Sequence, residues 1–299
     1  MRVILSLVLT LMILTPACAG SAGPSQAEDT SISVVASFYP LAFAAQRVGG
    51  DAVTVTNLTP PGVEPHDLEL APEALELIAS ADVVVYLSGG FQPAVEEAVE
   101  AEATGVVVDV AQGSGAGSDA SVAADGDPHI WLDPALYAGM VDRVATALVE
   151  VRTADAQTFL GNARRLEVEL EQLDEEFRLG LAECDTRTMI TNHAAFGYLA
   201  AAYDLDQWAI SGSSPESEPD PARIAELVEV ARDAGATTVF AEDLLSAEVV
   251  EILAAEAGLD SALLSPLEGL AEAQIAASDD YLSVMRRNLE TLRDGLVCA

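Results

Sequence analysis

Short apolar, β-branched runs alternate with helix-patterned segments along almost the whole chain, and this alternation restricts the fold more than any other feature. Strand, helix, strand is the unit of a parallel sheet, because the crossover needed between parallel strands lays a helix on a sheet face. Ile32–Ala36, Val53–Leu58, Asp82–Leu87 and Val106–Val110 read as strands, with Leu41–Val48, Pro72–Ala79 and Pro93–Ala101 as the helices among them. Two of these helices open with Pro, where the missing N–H is harmless. The plan returns in the strands Thr188–Asn192, Gln207–Ser211, Thr237–Ala241 and Ala262–Leu264, interleaved with the helices His193–Tyr203, Pro221–Ala234, Ala247–Ala257 and Asp279–Arg293. Between the halves, Phe159, Ala163, Leu166, Leu170, Leu173, Phe177 and Leu181 recur at every third or fourth position, which makes one stripe of a single helix over Thr153–Ala182. The expected architecture is α/β: two Rossmann-like lobes with parallel sheets, residues 32–152 and 184–299, joined by one long rigid helix over 153–183.

The first residues stand outside this plan. Arg2 precedes an apolar run from Val3 to Leu14, which falls short of the roughly 20 residues a bilayer-spanning helix needs. It reads as the core of a signal peptide followed by small residues, so the protein is expected to be exported. Cys18 directly after Ala17 resembles a bacterial lipobox, in which the cysteine is acylated after cleavage. Residues 1–18 are then a signal peptide with lipobox, and 19–31, rich in Gly, Ser and Ala, a flexible tether to the membrane. Ala17-Cys18-Ala19 also fits the cleavage site of a soluble exported protein. Lipidation of Cys18 leaves Cys184 and Cys298, an even pair in an oxidising compartment, as a disulfide or as two free thiols.

Forty-nine acidic residues against thirteen basic ones, all Arg, give a net charge of −36. Nucleic acid is excluded as a partner, because phosphate backbones demand clustered positive charge. Gly113–Asp127 has no apolar periodicity and reads as a solvated surface loop containing Asp119, Asp125 and Asp127.

The chain contains three histidines. His66 lies in Pro65-His66-Asp67, His129 in Asp127-Pro128-His129, and His193 directly after the strand Thr188–Asn192. Ligands of open α/β sheets bind beyond the carboxyl ends of the strands, where all three imidazoles can converge. Three imidazoles suit zinc or another late first-row cation and leave one position for a carboxylate or water. Read singly, each histidine is equally at home as a cap or a core residue.

The strings Val63-Glu64-Pro65-His66-Asp67, Asp127-Pro128-His129-Ile130-Trp131-Leu132-Asp133-Pro134 and His193-Ala194-Ala195-Phe196-Gly197-Tyr198-Leu199-Ala200 resemble the zinc/manganese solute-binding proteins of ABC importers. The resemblance continues through Ser37-Phe38-Tyr39-Pro40-Leu41, Glu216-Ser217-Glu218-Pro219 and the segment from Tyr281 to Glu290. It implies two lobes on a rigid helix, His66, His129 and His193 as metal ligands, and Zn²⁺, alternatively Mn²⁺, as the transported ion. It also implies a permease and an ATPase as partners, and a monomer anchored by lipid on the outer face of the cytoplasmic membrane. An adhesin is compatible with the same fold and anchor. In one place the chain departs from the family: where relatives carry Asp in a Leu-Asp-Pro string, it has Leu264-Ser265-Pro266. The fourth position is then open to water, Glu64, Glu242 or Glu268, and the loss of a hard oxygen donor favours zinc over manganese.

Three histidines and a water are also the layout of a hydrolytic zinc site, with Glu242 or Asp243 as the general base. The chain lacks both the His-Glu-x-x-His helix and the Gly-x-Ser-x-Gly elbow of common hydrolases, so a binding protein is expected and not an enzyme.

Overall fold

The computed structural model describes residues 31–112, 126–215 and 220–299. The leader, Cys18 and the tether before Ser31 lie outside the described residues, as do Asp119, Asp125 and the string Glu216-Ser217-Glu218-Pro219.

Two four-stranded parallel sheets frame the molecule. In the first, β1 (Ile32–Ala36), β2 (Val53–Asn57), β3 (Val83–Tyr86) and β4 (Val106–Asp109) lie in the order β2-β1-β3-β4. In the second, β5 (Thr188–Thr191), β6 (Asp206–Ala209), β7 (Thr238–Ala241) and β8 (Asp260–Leu263) repeat it as β6-β5-β7-β8. The two-lobed α/β architecture read from the alternating pattern is thus the one observed, with strand ends displaced by one or two residues. The central strand β3, Val83-Val84-Val85-Tyr86, reads as an unbroken apolar run because both of its faces are covered. Val34, Ala36, Val83 and Val85 enter the large central core, while Val35 and Val84 point the other way, onto Ile78, Val95 and Val99. Those three residues belong to α2 (Pro72–Ser80) and α3 (Pro93–Glu102); α1 (Tyr39–Gly49) packs on the opposite face.

Pro134–Val151, to which the sequence reading assigns no element, forms the helix α4. Its start is well signalled, since Asp133 caps it by accepting from the N–H groups of Ala135 (2.8 Å) and Leu136 (3.3 Å), with Pro134 in the first turn. Its interior is signalled as well: Tyr137, Met140, Val141, Val144, Ala145 and Leu148 are buried and fall at the i, i+3, i+4, i+7, i+8, i+11 spacing of one helix face, with Ala147 beside them.

The long helix α5 spans Ala156–Gly180, later at its start and earlier at its end than the expected Thr153–Ala182, because Thr153–Asp155 form a separate 3₁₀ turn. Its buried face is the stripe seen in the sequence, from Phe159 to Phe177. Twenty-five residues at about 1.5 Å each give a rod of roughly 37 Å. Arg47 of α1 pairs with Glu169 at 2.7 Å on one side of the link, and Arg286 of the last helix pairs with Glu176 at 2.8 Å on the other.

Beyond this link lie α6 (Gly197–Ala202), α7 (Pro221–Ala234), α8 (Glu248–Ala257), the short α9 (Glu272–Ala276) and α10 (Tyr281–Gly295). One apolar cluster runs unbroken from β1, α1 and α4 through α5 to Met189, Phe196, Phe240, Tyr281 and Met285 of the second lobe. The lobes therefore share a core. Cys184 and Cys298 are joined by a disulfide across 114 residues, fastening the end of the chain after α10 to the segment that leads into β5.

Candidate metal centre

The repeated strand order creates a switch point in each sheet, where successive connections leave in opposite directions and open a crevice beyond the strand ends. His193 follows β5 and Glu242 follows β7, the two central strands of the second sheet. The His193 N–H donates to Glu242 Oε1 at 3.0 Å, and its carbonyl accepts from Thr191 Oγ1 (2.7 Å) and Gln207 Nε2 (3.1 Å). These bonds hold the backbone out of a helix. The expected helix His193–Tyr203 accordingly begins only at Gly197.

In the first lobe, His129 stands just before the 3₁₀ turn Ile130–Leu132. Asp127 Oδ1 accepts from its backbone N–H at 2.9 Å and lies 2.7 Å from its Nδ1. Asp127 is consequently part of the site and not of a solvated loop, with a side chain only 9% exposed. His66 sits in the connection after β2; its N–H donates to Glu64 Oε1 at 3.1 Å, and its ring meets Phe91 edge-on at 4.6 Å.

All three imidazoles meet at one point, and the group that joins them there is Glu268, from the loop after β8. Glu268 Oε1 lies 2.9 Å from His129 Nε2, 3.2 Å from His66 Nε2 and 3.3 Å from His193 Nε2, and His129 Nε2 lies 3.3 Å from His193 Nε2. No two of the four donor atoms are more than 4.8 Å apart. A tetrahedral zinc site with bonds of about 2.0–2.1 Å separates its donors by about 3.4 Å, so four of the distances already approach those of a loaded site. His129, His193 and Glu268 are buried and His66 nearly so.

Electrostatics agree with a cation site. Burial works to raise the Glu268 carboxyl, but hydrogen bonds to His129, His193 and His66 outweigh it and hold it well below the usual carboxylate range. Burial likewise disfavours charge on His193, yet the carboxylates of Glu242 and Glu268 push it up to about 10; His129 is raised against burial by Asp127 and Glu268. His193 Nδ1 lies 2.6 Å from Glu242 Oε2. In both buried histidines a carboxylate thus faces Nδ1 and turns Nε2 toward the shared point, the arrangement that orients imidazole ligands in metal sites.

Among the acids open as a fourth donor, the geometry separates Glu268 from the rest. Glu242 backs His193 from behind. Glu64 stands beside Glu268, where burial and then the neighbouring charge raise its carboxyl to about 9, which keeps it protonated at neutral pH. Ser265, at the family's Asp position, is tied to Asn288, whose Oδ1 accepts from its N–H (2.9 Å) and whose Nδ2 donates to its carbonyl (2.7 Å). It shapes the loop that presents Glu268 three residues later. The general bases conceived for a hydrolase are likewise engaged elsewhere: Asp243 Oδ2 accepts from Gln274 Nε2 at 2.9 Å, and Glu242 is bound to His193.

Residues 34–295 match the family model described as "Zinc-uptake complex component A periplasmic". The chain is 34% identical over 286 residues to the zinc-binding protein AdcA of Streptococcus pyogenes, covering 88% of itself and 55% of that relative, and so spans about half of its length. It is 30% identical over 301 residues to the high-affinity zinc uptake system protein ZnuA of Bacillus subtilis, covering 95% of itself and 94% of that protein. Among solved structures, the Zn(II)-bound ZnuA-like domain of Streptococcus pneumoniae AdcA superposes with a TM-score of 0.76 at 31% identity, over 89% of this chain and 99% of that one. With the family model spanning nearly the whole described fold, and a full-length relative alongside, the chain belongs to the ZnuA family of periplasmic zinc-uptake components.

Proposed function

We propose that this protein is the extracytoplasmic solute-binding component of an ABC importer. It captures Zn²⁺ with His66, His129, His193 and Glu268 and delivers the ion to a permease driven by an ATPase. The observation that carries this reading is the convergence of four donors, three nitrogens and one carboxylate oxygen, with four of their separations between 2.9 and 3.3 Å and none above 4.8 Å. Three imidazoles and a single carboxylate suit zinc; manganese favours oxygen donors and a higher coordination number. The carboxylates behind His129 and His193 leave Nε2 as the free donor on each ring. Export and anchoring through acylated Cys18 complete the proposal, with residues 19–31 as the tether.

Delivery requires the ion to leave a buried site. The core shared by both lobes, together with the ion pairs from α5 to each, opposes a wide hinge rotation, so release proceeds through small shifts of the lobes and ligand loops. Elemental analysis of protein purified without added metal, followed by competition between Zn²⁺ and Mn²⁺, tests the assignment. Retention of Zn²⁺ in one equivalent, lost in Glu268→Ala, is expected. Preferential retention of Mn²⁺ refutes it.

A further inference from the structure

The loop that presents Glu268 is gripped from the opposite lobe. Leu264 ends the run from β8, and the next five residues carry the carboxylate across the crevice. From its own lobe the loop is held at Ser265 by Asn288 of α10, and Ser265 Oγ accepts from the Leu267 N–H at 3.3 Å. Leu267, buried and adjacent to Glu268, has φ +55°, a left-handed conformation that a bulky side chain resists unless the surroundings impose it. From the first lobe come two further bonds. Trp131 Nε1 donates to the Pro266 carbonyl at 2.8 Å, and the Gly62 N–H donates to the Leu270 carbonyl at 3.1 Å. These two carbonyls lie on either side of Glu268, two residues before and two after it.

Both donors belong to the segments that carry the first lobe's imidazoles: Trp131 follows His129 by two residues, and Gly62 precedes His66 by four. Trp131 is itself locked across the lobe boundary, since the Tyr281 hydroxyl at the start of α10 donates to its carbonyl at 2.6 Å. Its ring is fully buried, packed on Phe38 at 4.7 Å and 5.1 Å from the His129 ring. We propose that Trp131 is a positioning residue whose indole N–H, by holding Pro266, makes the seating of Glu268 depend on the two lobes being together. The fourth ligand then loosens first when the lobes shift, and this gives delivery a defined order of ligand loss. The proposal rests on the four-donor reading of the site.

The test uses the full mature chain with position 131 changed in two ways: Trp131→Phe, and replacement by benzothienylalanine, which keeps the indole's shape but lacks its N–H. Zn²⁺ dissociation is followed by transfer to a chelator, the visible absorption of the Co²⁺-loaded protein reports the ligand set, and melting of the metal-free protein reports folding. Loss of one buried hydrogen bond predicts Zn²⁺ release about five- to tenfold faster in both, with the Co²⁺ bands moving toward those of Glu268→Ala and metal-free melting of the benzothienylalanine protein lowered by only a few degrees, as one lost bond implies. Wild-type release and a wild-type Co²⁺ spectrum in the benzothienylalanine protein overturn the proposal. Faster release with an unaltered Co²⁺ spectrum does so as well, since Trp131 would then act on stability alone. If Glu268→Ala itself keeps the wild-type affinity and spectrum, the four-donor reading fails and takes the proposal with it.

Discussion

The two lobes share one strand order but hold their ligands differently. The second lobe places His193 and its partner Glu242 directly after its two central strands, so the sheet fixes the ring. The first lobe carries both of its histidines on long connections, His66 after β2 and His129 after β4, and must stabilise them locally. It succeeds fully with only one. His129 has Asp127 against Nδ1 and is completely buried, whereas His66 has no carboxylate there among the described residues, rests its ring edge on Phe91 and keeps some exposure. On the proposed four-donor reading, two imidazoles are braced and the third, His66, marks the less enclosed side of the site.

The largest change that would break this comparison acts on the second lobe alone. Reduction of Cys184–Cys298, or Cys298→Ser, removes a link that closes a loop of 114 residues and is expected to lower stability by about 4 to 5 kcal/mol on the chain-entropy model. Denaturant unfolding of the metal-free protein should show that loss. Next come the ligands. His193→Ala or His129→Ala should weaken Zn²⁺ on the order of a hundredfold or more, by competition against a chelating dye, and His66→Ala should cost less; an equal loss at all three positions would erase the distinction between braced and unbraced rings. The bracing carboxylates follow. Asp127→Asn and Glu242→Gln should each weaken binding about 10- to 100-fold through misoriented Nε2 lone pairs, while Glu64→Gln, whose carboxyl is already protonated, should change affinity little.

The pH dependence of binding is the most diagnostic of the braced lobe. With its pKa pushed up to about 10, His193 carries a proton at neutrality in the metal-free protein, and Zn²⁺ must displace it from Nε2. Binding should therefore release a proton at pH 8, and affinity should fall about tenfold for each unit that the pH drops between 9 and 7. An ordinary imidazole would be insensitive over that range. Calorimetry in buffers of different ionisation enthalpy measures the released proton directly.

Much of the fold was legible because its signals are local. Alternating β-branched runs, Pro at helix starts and the stripe from Phe159 to Phe177 each report burial through the spacing of neighbours along the chain. The helix Pro134–Val151 carries an equally local signal, the stripe from Tyr137 to Leu148 behind a Pro start, although the sequence reading assigns it no element.

The sequence by itself singled out His66, His129 and His193, since three histidines in the whole chain leave few combinations to weigh. It could not choose the acid that completes them. Forty-nine carboxylates share one chemistry, and nothing local distinguishes Glu268 as ligand from Glu242 and Asp127 as braces or Glu64 as a protonated neighbour. Those roles follow from which strand end or loop brings each oxygen within about 3 Å of a given ring nitrogen, and that is a matter of distance across the crevice, which only the folded lobes determine.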